Sequence, residues 1–460
     1  MRYAWLVLAV VLPAAVVLAL ILWRTPYPIS EGIAIVEDVS STSDLQFLQP
    51  ARYYYRPLFF ASVFAAWHGS DTPATFVAAE RLMMIAPIAV LVTLLLIRLR
   101  PRTAVDATAA VFASAVLMGS GAFFDNTEIP LTFTIVGMPV LLGAWMLAER
   151  AKGPAPTVLF LALAVVAIGF KEQGLVILPI VIAAWWLGAP GVSRATAVWT
   201  AAFGLVYLAF RFATKGPWAP FEQDIGFGFS VLSATEAGAR FGRWPLPAYA
   251  YNSVSTISNL LFAEPTSGVF SITRAIVNRE AMPWQYLHLV SSAALTGLIG
   301  WWGARSVARA RVDGWTAESR TAALLVVALA ASGALAFNYS RDRLGGMALV
   351  PYAVASFYAV RALLATLKQA GAARIVAVTL GLTLLMGAWQ TRVVHTLDAA
   401  RERAADSHRE WLTDSYDRRV QFASRERYLH ALDVLTPQGT VRPPGPPHYP
   451  AWVTQLLGPT

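Results

Sequence analysis

Two adjacent carboxylates, Glu37 and Asp38, stand in the stretch VEDVSST, shortly after the first unbroken apolar run of the chain. Neighbouring acids raise each other's pKa, which suits one of them to take up a proton near neutrality. Further along, Arg56 opens RPLFF, Lys171 and Glu172 stand in FKEQG, and Arg341 and Arg343 flank Asp342 in NYSRDRLGG. A carboxylate base and fixed cations are what the removal of a group from a lipid phosphate requires. The base takes the proton of an acceptor hydroxyl, and the cations hold the phosphate as it leaves with negative charge. If the group is a sugar on a polyprenyl phosphate, aromatic side chains such as Tyr54 and Tyr55 line its subsite. Phosphate is already a good leaving group, so no second carboxylic acid has to protonate it, unlike the paired acids of a glycosidase.

Each of these residues also has a plainer reading. The acidic pair can be loop decoration, Arg56 can snorkel from a helix end, and Lys171 and Glu172 can simply pair with each other. A surface salt bridge among Arg341, Asp342 and Arg343 is the plain reading of that cluster. Tyr54 and Tyr55 equally suit an interfacial aromatic belt. Of the two acids, Asp38 is favoured as the base with Glu37 in support, and the reverse order remains open.

The elements that must position these residues follow from composition. Of 460 residues, 57% are hydrophobic and 14% charged, and the mean hydropathy is +0.53. Such a chain is a membrane protein. Crossing about 30 Å of hydrocarbon takes roughly 20 apolar residues. Stretches of this kind begin near Ala4, Phe76, Ala107, Leu131, Thr157, Leu175, Ala195, Tyr286, Thr321, Leu344 and Ile375. The expectation is an all-α polytopic protein of about eleven transmembrane helices. The first has no small-residue cleavage site before Trp23 and is expected to stay as an anchor.

Arg98, Arg100, Arg102, Arg150, Lys152, Arg194, Arg305, Arg309, Arg311, Arg320, Lys368 and Arg374 fall in alternate loops. Positively charged loops stay cytoplasmic, so the N-terminus is expected inside and the other loops outside. The outer set is then 24–75, 122–130, 170–174, 213–285, 338–343 and everything after 390. Glu37, Asp38, Arg56, Glu128, Lys171, Glu172, Arg341 and Arg343 all lie on that one face. Lys171, Arg341 and Arg343 in short outer loops run against the charge bias, and an anionic ligand at the membrane surface would account for them.

Domain organisation follows: a membrane module over 1–390 and an extracytoplasmic tail over 391–460. Loop 213–285 is aromatic and rich in Gly and Pro, which reads as short amphipathic helices on the membrane. The tail has charged residues with an apolar face at near-helical spacing, then the extended VRPPGPPHYP. Negative evidence narrows the chemistry. There are no cysteines and no His and carboxylate set with zinc spacing, so no metal is assigned, and a divalent cation stays open as an alternative. No dinucleotide fingerprint, Walker lysine or D-x-D motif is present, and the dispersed basic residues speak for topology rather than nucleic acid.

The order of an acidic pair, YYRPLFFASVF, and a short outer KEQG before a new apolar run resembles the GT-C superfamily of integral membrane glycosyltransferases. Within it, the branch of protein O-mannosyltransferases with tetratricopeptide repeats is most similar, and the likeness covers roughly the first 190 residues. The resemblance implies a polyprenyl-phosphate sugar as donor and a glycan, lipid or protein as acceptor. It puts Glu37 and Asp38 on the acidic pair, Arg56 on the R-P-L arginine, and Lys171 and Glu172 on K-E-x-G. The chain departs from that pattern in reading Glu-Asp rather than Asp-Asp, and in having no histidine between His68 and His288. It also has no repeat of about 34 residues.

The expected activity is inverting transfer of a sugar from the lipid carrier to a hydroxyl at the outer face. Donor phosphate binding falls to Arg56, Lys171, Arg341 and Arg343, and substrate contacts to Tyr54, Tyr55, Glu128 and Glu172. Ala-rich, cysteine-free composition points to a bacterial inner membrane. The rival readings are a transporter or flippase of lipid-linked glycans, and a polymerase or ligase acting on lipid-diphosphate glycans. A transporter predicts ionisable groups inside the spans, whereas Glu80, Arg81 and Arg361 are expected near span ends.

Overall fold

The computed structural model describes residues 2–24, 36, 39, 56–127, 133–150, 153–215, 225–227, 230–242, 246–264, 268–390, 393, 426 and 429. These residues form a helical, multi-pass membrane protein. The chain order is α1 (Arg2–Arg24), α2 (Pro57–His68), α3 (Pro73–Leu99), α4 (Ala104–Met118), the short α5 (Gly121–Asp125), α6 (Phe133–Arg150) and α7 (Thr157–Phe170). A 3-10 turn, Glu172–Val176, leads into α8 (Ile177–Trp186), followed by α9 (Arg194–Lys215) and a two-stranded antiparallel hairpin, β1 (Ile225–Phe227) and β2 (Ser230–Leu232). Then come α10 (Ala234–Phe241), α11 (Leu246–Phe262), α12 (Gly268–Val277), α13 (Pro283–Asp313), α14 (Ala317–Leu335), a second 3-10 turn (Asp342–Gly345) and α15 (Gly346–Ala365). The last described helix is α16 (Ala372–Gln390).

Each apolar stretch picked out from the sequence contains a helix. Among the described residues, five are long and apolar enough to cross a membrane: Tyr3–Trp23, Pro73–Leu99, Ala317–Leu335, Asp342–Ala365 and Ala372–Gln390. Several others, such as α4, α7 and α8, are shorter. Thr72 and Thr75, Thr103 and Asp106, and Thr316 and Ser319 form reciprocal capping boxes at the starts of α3, α4 and α14. A capping box satisfies two otherwise orphaned N–H groups, which matters most where water is scarce.

α15 is the hub of the bundle. It is buried along most of its length and packs on α4, α6, α13 and α14. By contrast α16 keeps Leu380 and Leu384 exposed and buries Trp389, which lies over Gly119. Exposed apolar side chains on an outer helix are what lipid contact requires.

At the end of the bundle where α6 stops and α7 begins, polar groups are paired inside. Arg320 makes a bidentate bond to Glu149, at 2.8 Å on each arm, with the Glu149 side chain 2% exposed. Arg150 donates to the carbonyls of Ile97 and Arg98 at the end of α3, each at 2.8 Å, and the Arg98 guanidinium lies 5.0 Å from the Trp145 ring centre. Breaking a buried pair leaves one charge uncompensated, at about 3–5 kcal/mol. Arg320→Ala is therefore expected to lower thermal stability by that order, read as earlier loss of the monodisperse peak on heating in detergent. An unchanged melting profile would show that the pair contributes nothing.

Two expectations change here. α11 lies in the segment expected to rest on the membrane surface, yet it packs on α13 and α14 with its polar stripe inward and Leu246 and Val254 outward. Asn252, Ser255, Thr256 and Asn259 are the stripe and all four are buried, with Asn252 Nδ2, Thr256 and Asn259 hydrogen-bonded to the connection between α14 and α15. Glu80, expected near a span end, stands eight residues into the 27-residue α3 and is 1% exposed. The tail expected as a helix or helix pair lies outside the described residues apart from 393, 426 and 429.

Candidate functional site

α7 runs from the Arg150 end of the bundle to the opposite end, where it stops at Phe170 and the next residue turns extended. That turn carries Lys171 and Glu172. Gly174 allows it: a Cβ there would lie 2.3 Å from the Ala167 carbonyl carbon and 2.5 Å from the Ile168 nitrogen. Only glycine lets the 3-10 turn fold so closely onto the last turn of α7.

Arg56 is delivered to the same place by α2. Pro57 starts that helix, its fixed φ suited to the first turn, and Leu58 lies against Gly169 on α7, where a Cβ would come within 2.7 Å of it. The R-P-L stretch is thus a short docking device, with Leu58 seated on α7 and Arg56 left at the helix entrance. From there Arg56 Nε donates to Glu172 Oε2 at 2.9 Å and Nη2 to Oε1 at 2.8 Å. Lys171 Nζ stands 3.3 Å from the same Glu172 Oε1. Two cations 115 positions apart therefore share one carboxylate. The side chains are 16% exposed for Arg56, 8% for Lys171 and 30% for Glu172, so the cluster is sheltered but open through Glu172.

Electrostatics follow from that shelter. Burial, with the charges of Arg56 and Arg343 nearby, pulls Lys171 down to about 8 against the support of Glu172. Burial alone would raise Glu172, but Arg56 and Lys171 outweigh it and hold the carboxyl well below the usual range. The Arg343 charge acts on Lys171, so residues from α2, the α7 turn and the α14–α15 connection bear on one position.

That connection, 336–345, crosses the top of the bundle as a strap gripped from three sides. Gly226 N in β1 donates to Asn338 O at 2.9 Å. From α11, Asn252 Nδ2 donates to Phe337 O at 3.0 Å, Thr256 Oγ1 to Ser340 Oγ at 3.2 Å, and Asn259 Nδ2 to Asp342 Oδ1 at 3.1 Å. From α5, Asp125 Oδ2 accepts from Arg343 N at 2.8 Å and Asn126 Nδ2 donates to Arg343 O at 2.9 Å. Arg341 heads the same turn in extended conformation, half-buried.

Of the candidates read from the sequence, Arg56 and Lys171 are each in direct contact with Glu172, and the Arg343 charge acts on Lys171. Arg56 does not merely snorkel, because both arms of its guanidinium are engaged. The pairing of Lys171 with Glu172 is present, as the plainer reading held, but Glu172 also grips Arg56. Glu37, Asp38, Tyr54, Tyr55 and Glu128 lie outside the described residues, although Val36 and Val39 beside the acidic pair are buried helical positions.

Sequence reasoning passed over the α11 stripe and Glu264. The stripe was legible as spacing, since Asn252, Ser255, Thr256 and Asn259 recur at i, i+3, i+4 and i+7, one helix face. Glu264 carried no such signal, being a single acid before a proline in a loop. Chemically, sheltered cations around one carboxylate are suited to hold an anion such as a phosphate against a helical bundle. Compared with protein-family models, curated proteins and solved structures, the chain matches none.

Proposed function

We propose that the protein is an inverting glycosyltransferase of GT-C type, with about eleven spans, that moves a sugar from a polyprenyl phosphate to an acceptor hydroxyl at the outer face. The observation that carries this reading is the convergence of Arg56 and Lys171 on Glu172, with Arg343 close enough to act on Lys171. Two cations from distant parts of the chain meet at one carboxylate and a third acts on one of them, as a phosphate site requires. In the reaction, Asp38 or Glu37 takes the hydroxyl proton as the acceptor oxygen bonds to the anomeric carbon. The bond from that carbon to the phosphate oxygen breaks, its electron pair leaves with the phosphate, and configuration inverts. Arg56, Lys171 and Arg343, with Arg341 on the same strap, hold the leaving phosphate. Glu172 holds Arg56 and Lys171 in place between turnovers. The setting is a bacterial inner membrane with the N-terminus inside and the tail outside.

The test is transfer from radiolabelled polyprenyl-phosphate sugars, measured across pH. Lys171 is lowered to about 8, so it is charged below that and neutral above it. The donor is a phosphodiester with no titration in this range, so its affinity is expected to be flat from pH 6 to 7. Above about pH 8 it should weaken by up to tenfold per unit, because the bound phosphate then requires a proton to be taken up. No transfer from any donor, or donor affinity that does not move with pH, would sink the reading.

A transport reading is favoured by one observation, the burial of Glu80 inside α3. Intramembrane carboxylates commonly line ion or substrate paths. Loss of lipid-linked glycan translocation in Glu80→Gln, with transfer absent throughout, would select it.

A further inference from the structure

Glu264, in the turn after α11, is 2% exposed and belongs to none of the chemistry above. Its carboxyl faces the junction of α4 and α5. Ser120 Oγ donates to Oε1 at 2.6 Å, Ala122 N donates to Oε1 at 3.2 Å, and Gly121 N donates to Oε2. The backbone is held as well, since Ser292 Oγ on α13 donates to Glu264 O. One carboxyl therefore satisfies the hydroxyl before α5 and the first two N–H groups of that helix.

α5 is five residues long and cannot hold itself in place by its own hydrogen bonds. Its far end is the part that matters for the site. Asp125 takes the N–H of Arg343 and Asn126 gives to its carbonyl, so both polar groups of the residue are bound from α5. Asn126 Nδ2 also donates to Ala122 O at 2.6 Å, which ties the gripping end back to the anchored end. Meanwhile Asn259, on the last turn of α11, holds Asp342 and accepts from Val269 N at 2.8 Å. The α11–α12 turn thus reaches two neighbouring residues of the strap by separate routes, through Asn259 to Asp342 and through Glu264 and α5 to Arg343.

We propose that Glu264 is a positioning residue for the anion site: by anchoring α5 it fixes the Arg343 backbone and so keeps the Arg343 guanidinium within range of Lys171. This rests on the reading of Arg56, Lys171 and Arg343 as a phosphate site. Burial, and then the nearby Asp342 charge, push the Glu264 carboxyl well above the usual carboxylate range. An amide of the same shape keeps an acceptor for Gly121 N and can donate to Ser120 Oγ, which still accepts from Ala122 N, whereas a truncated side chain leaves Gly121 N without an acceptor.

The experiment compares wild type, Glu264→Ala, Glu264→Gln, Arg343→Ala and the Glu264→Ala/Arg343→Ala double variant, each full length in detergent. Two readouts are taken: affinity for farnesyl phosphate, and amide hydrogen exchange over 341–346. Glu264→Ala is expected to bind about tenfold more weakly, and the double variant no more weakly than Arg343→Ala, because both act through one guanidinium. Glu264→Gln is expected to restore wild-type affinity, and protection of the amide at 343 is expected to fall wherever Glu264 is alanine and to stay in Glu264→Gln and Arg343→Ala. Additive losses in the double variant, no rescue by glutamine, or unchanged exchange over 341–346 would each overturn the proposal. Exchange is read without ligand, so it separates two failures. If Lys171→Ala binds farnesyl phosphate as well as wild type, the phosphate reading itself fails, and the exchange result still decides whether Glu264 holds the strap.

Discussion

Asp38→Asn is expected to cut sugar transfer by about 10²–10⁴-fold while the donor stays bound, the range a positioned general base contributes. Asparagine keeps the shape of aspartate but cannot accept the proton that the acceptor hydroxyl must lose as it attacks. Glu37→Gln should do less, since its proposed part is to keep a second charge beside the base rather than to take the proton. The comparison is made by single-turnover transfer in membranes, with donor affinity measured separately. A large fall in Glu37→Gln with Asp38→Asn near wild type would exchange the two roles. Near wild-type rates in both would remove the acidic pair from the mechanism.

Arg56→Ala and Lys171→Ala are expected to lose about 10²–10³-fold in transfer, the usual effect of deleting one donor to a developing negative charge. Here the loss should appear in donor binding as well, because in the proposed mechanism both cations meet the phosphate before it leaves. The geometry makes the two variants unequal. Arg56 holds Glu172 by two arms, so its removal also frees the carboxylate that orients Lys171. Lys171 contributes one contact to Glu172, and its removal leaves the Arg56 pair intact. Arg56→Ala is accordingly the more damaging, and Lys171→Ala should abolish the pH dependence above about 8, whereas Arg56→Ala should move it to higher pH, because the Arg56 charge is one of the causes that lower Lys171. Full transfer in either variant would mean that the cluster binds no leaving phosphate.

The cluster also explains why short sequence patterns can be informative across a distance. R-P-L and K-E-x-G look unrelated along the chain, yet each residue in them has a physical task at one contact. Pro57 starts α2, Leu58 sits on Gly169, Arg56 meets Glu172, and Gly174 clears the Ala167 backbone. A change at Leu58 or Gly174 would act on the same ion pair without touching it.

Local chemistry decided much of this protein. Apolar composition dictated a helical membrane protein, because a lipid-exposed backbone must satisfy its own hydrogen bonds. Alternating positive loops and the out-of-place cations Lys171, Arg341 and Arg343 marked one face as the place for an anion. Those readings are made residue by residue, since hydropathy and charge are properties of short segments. Tertiary structure alone decided the rest. Whether Arg56 snorkels or grips Glu172 depends on where α2 docks on α7. Whether the polar face of α11 meets water or the bundle depends on the strap that needs its hydrogen bonds. Glu264 could not be read as an anchor at all, because its partners Ser120, Gly121 and Ala122 are more than 140 positions away. Contacts of that range follow from the packing of whole helices, and no period or motif within a segment encodes them.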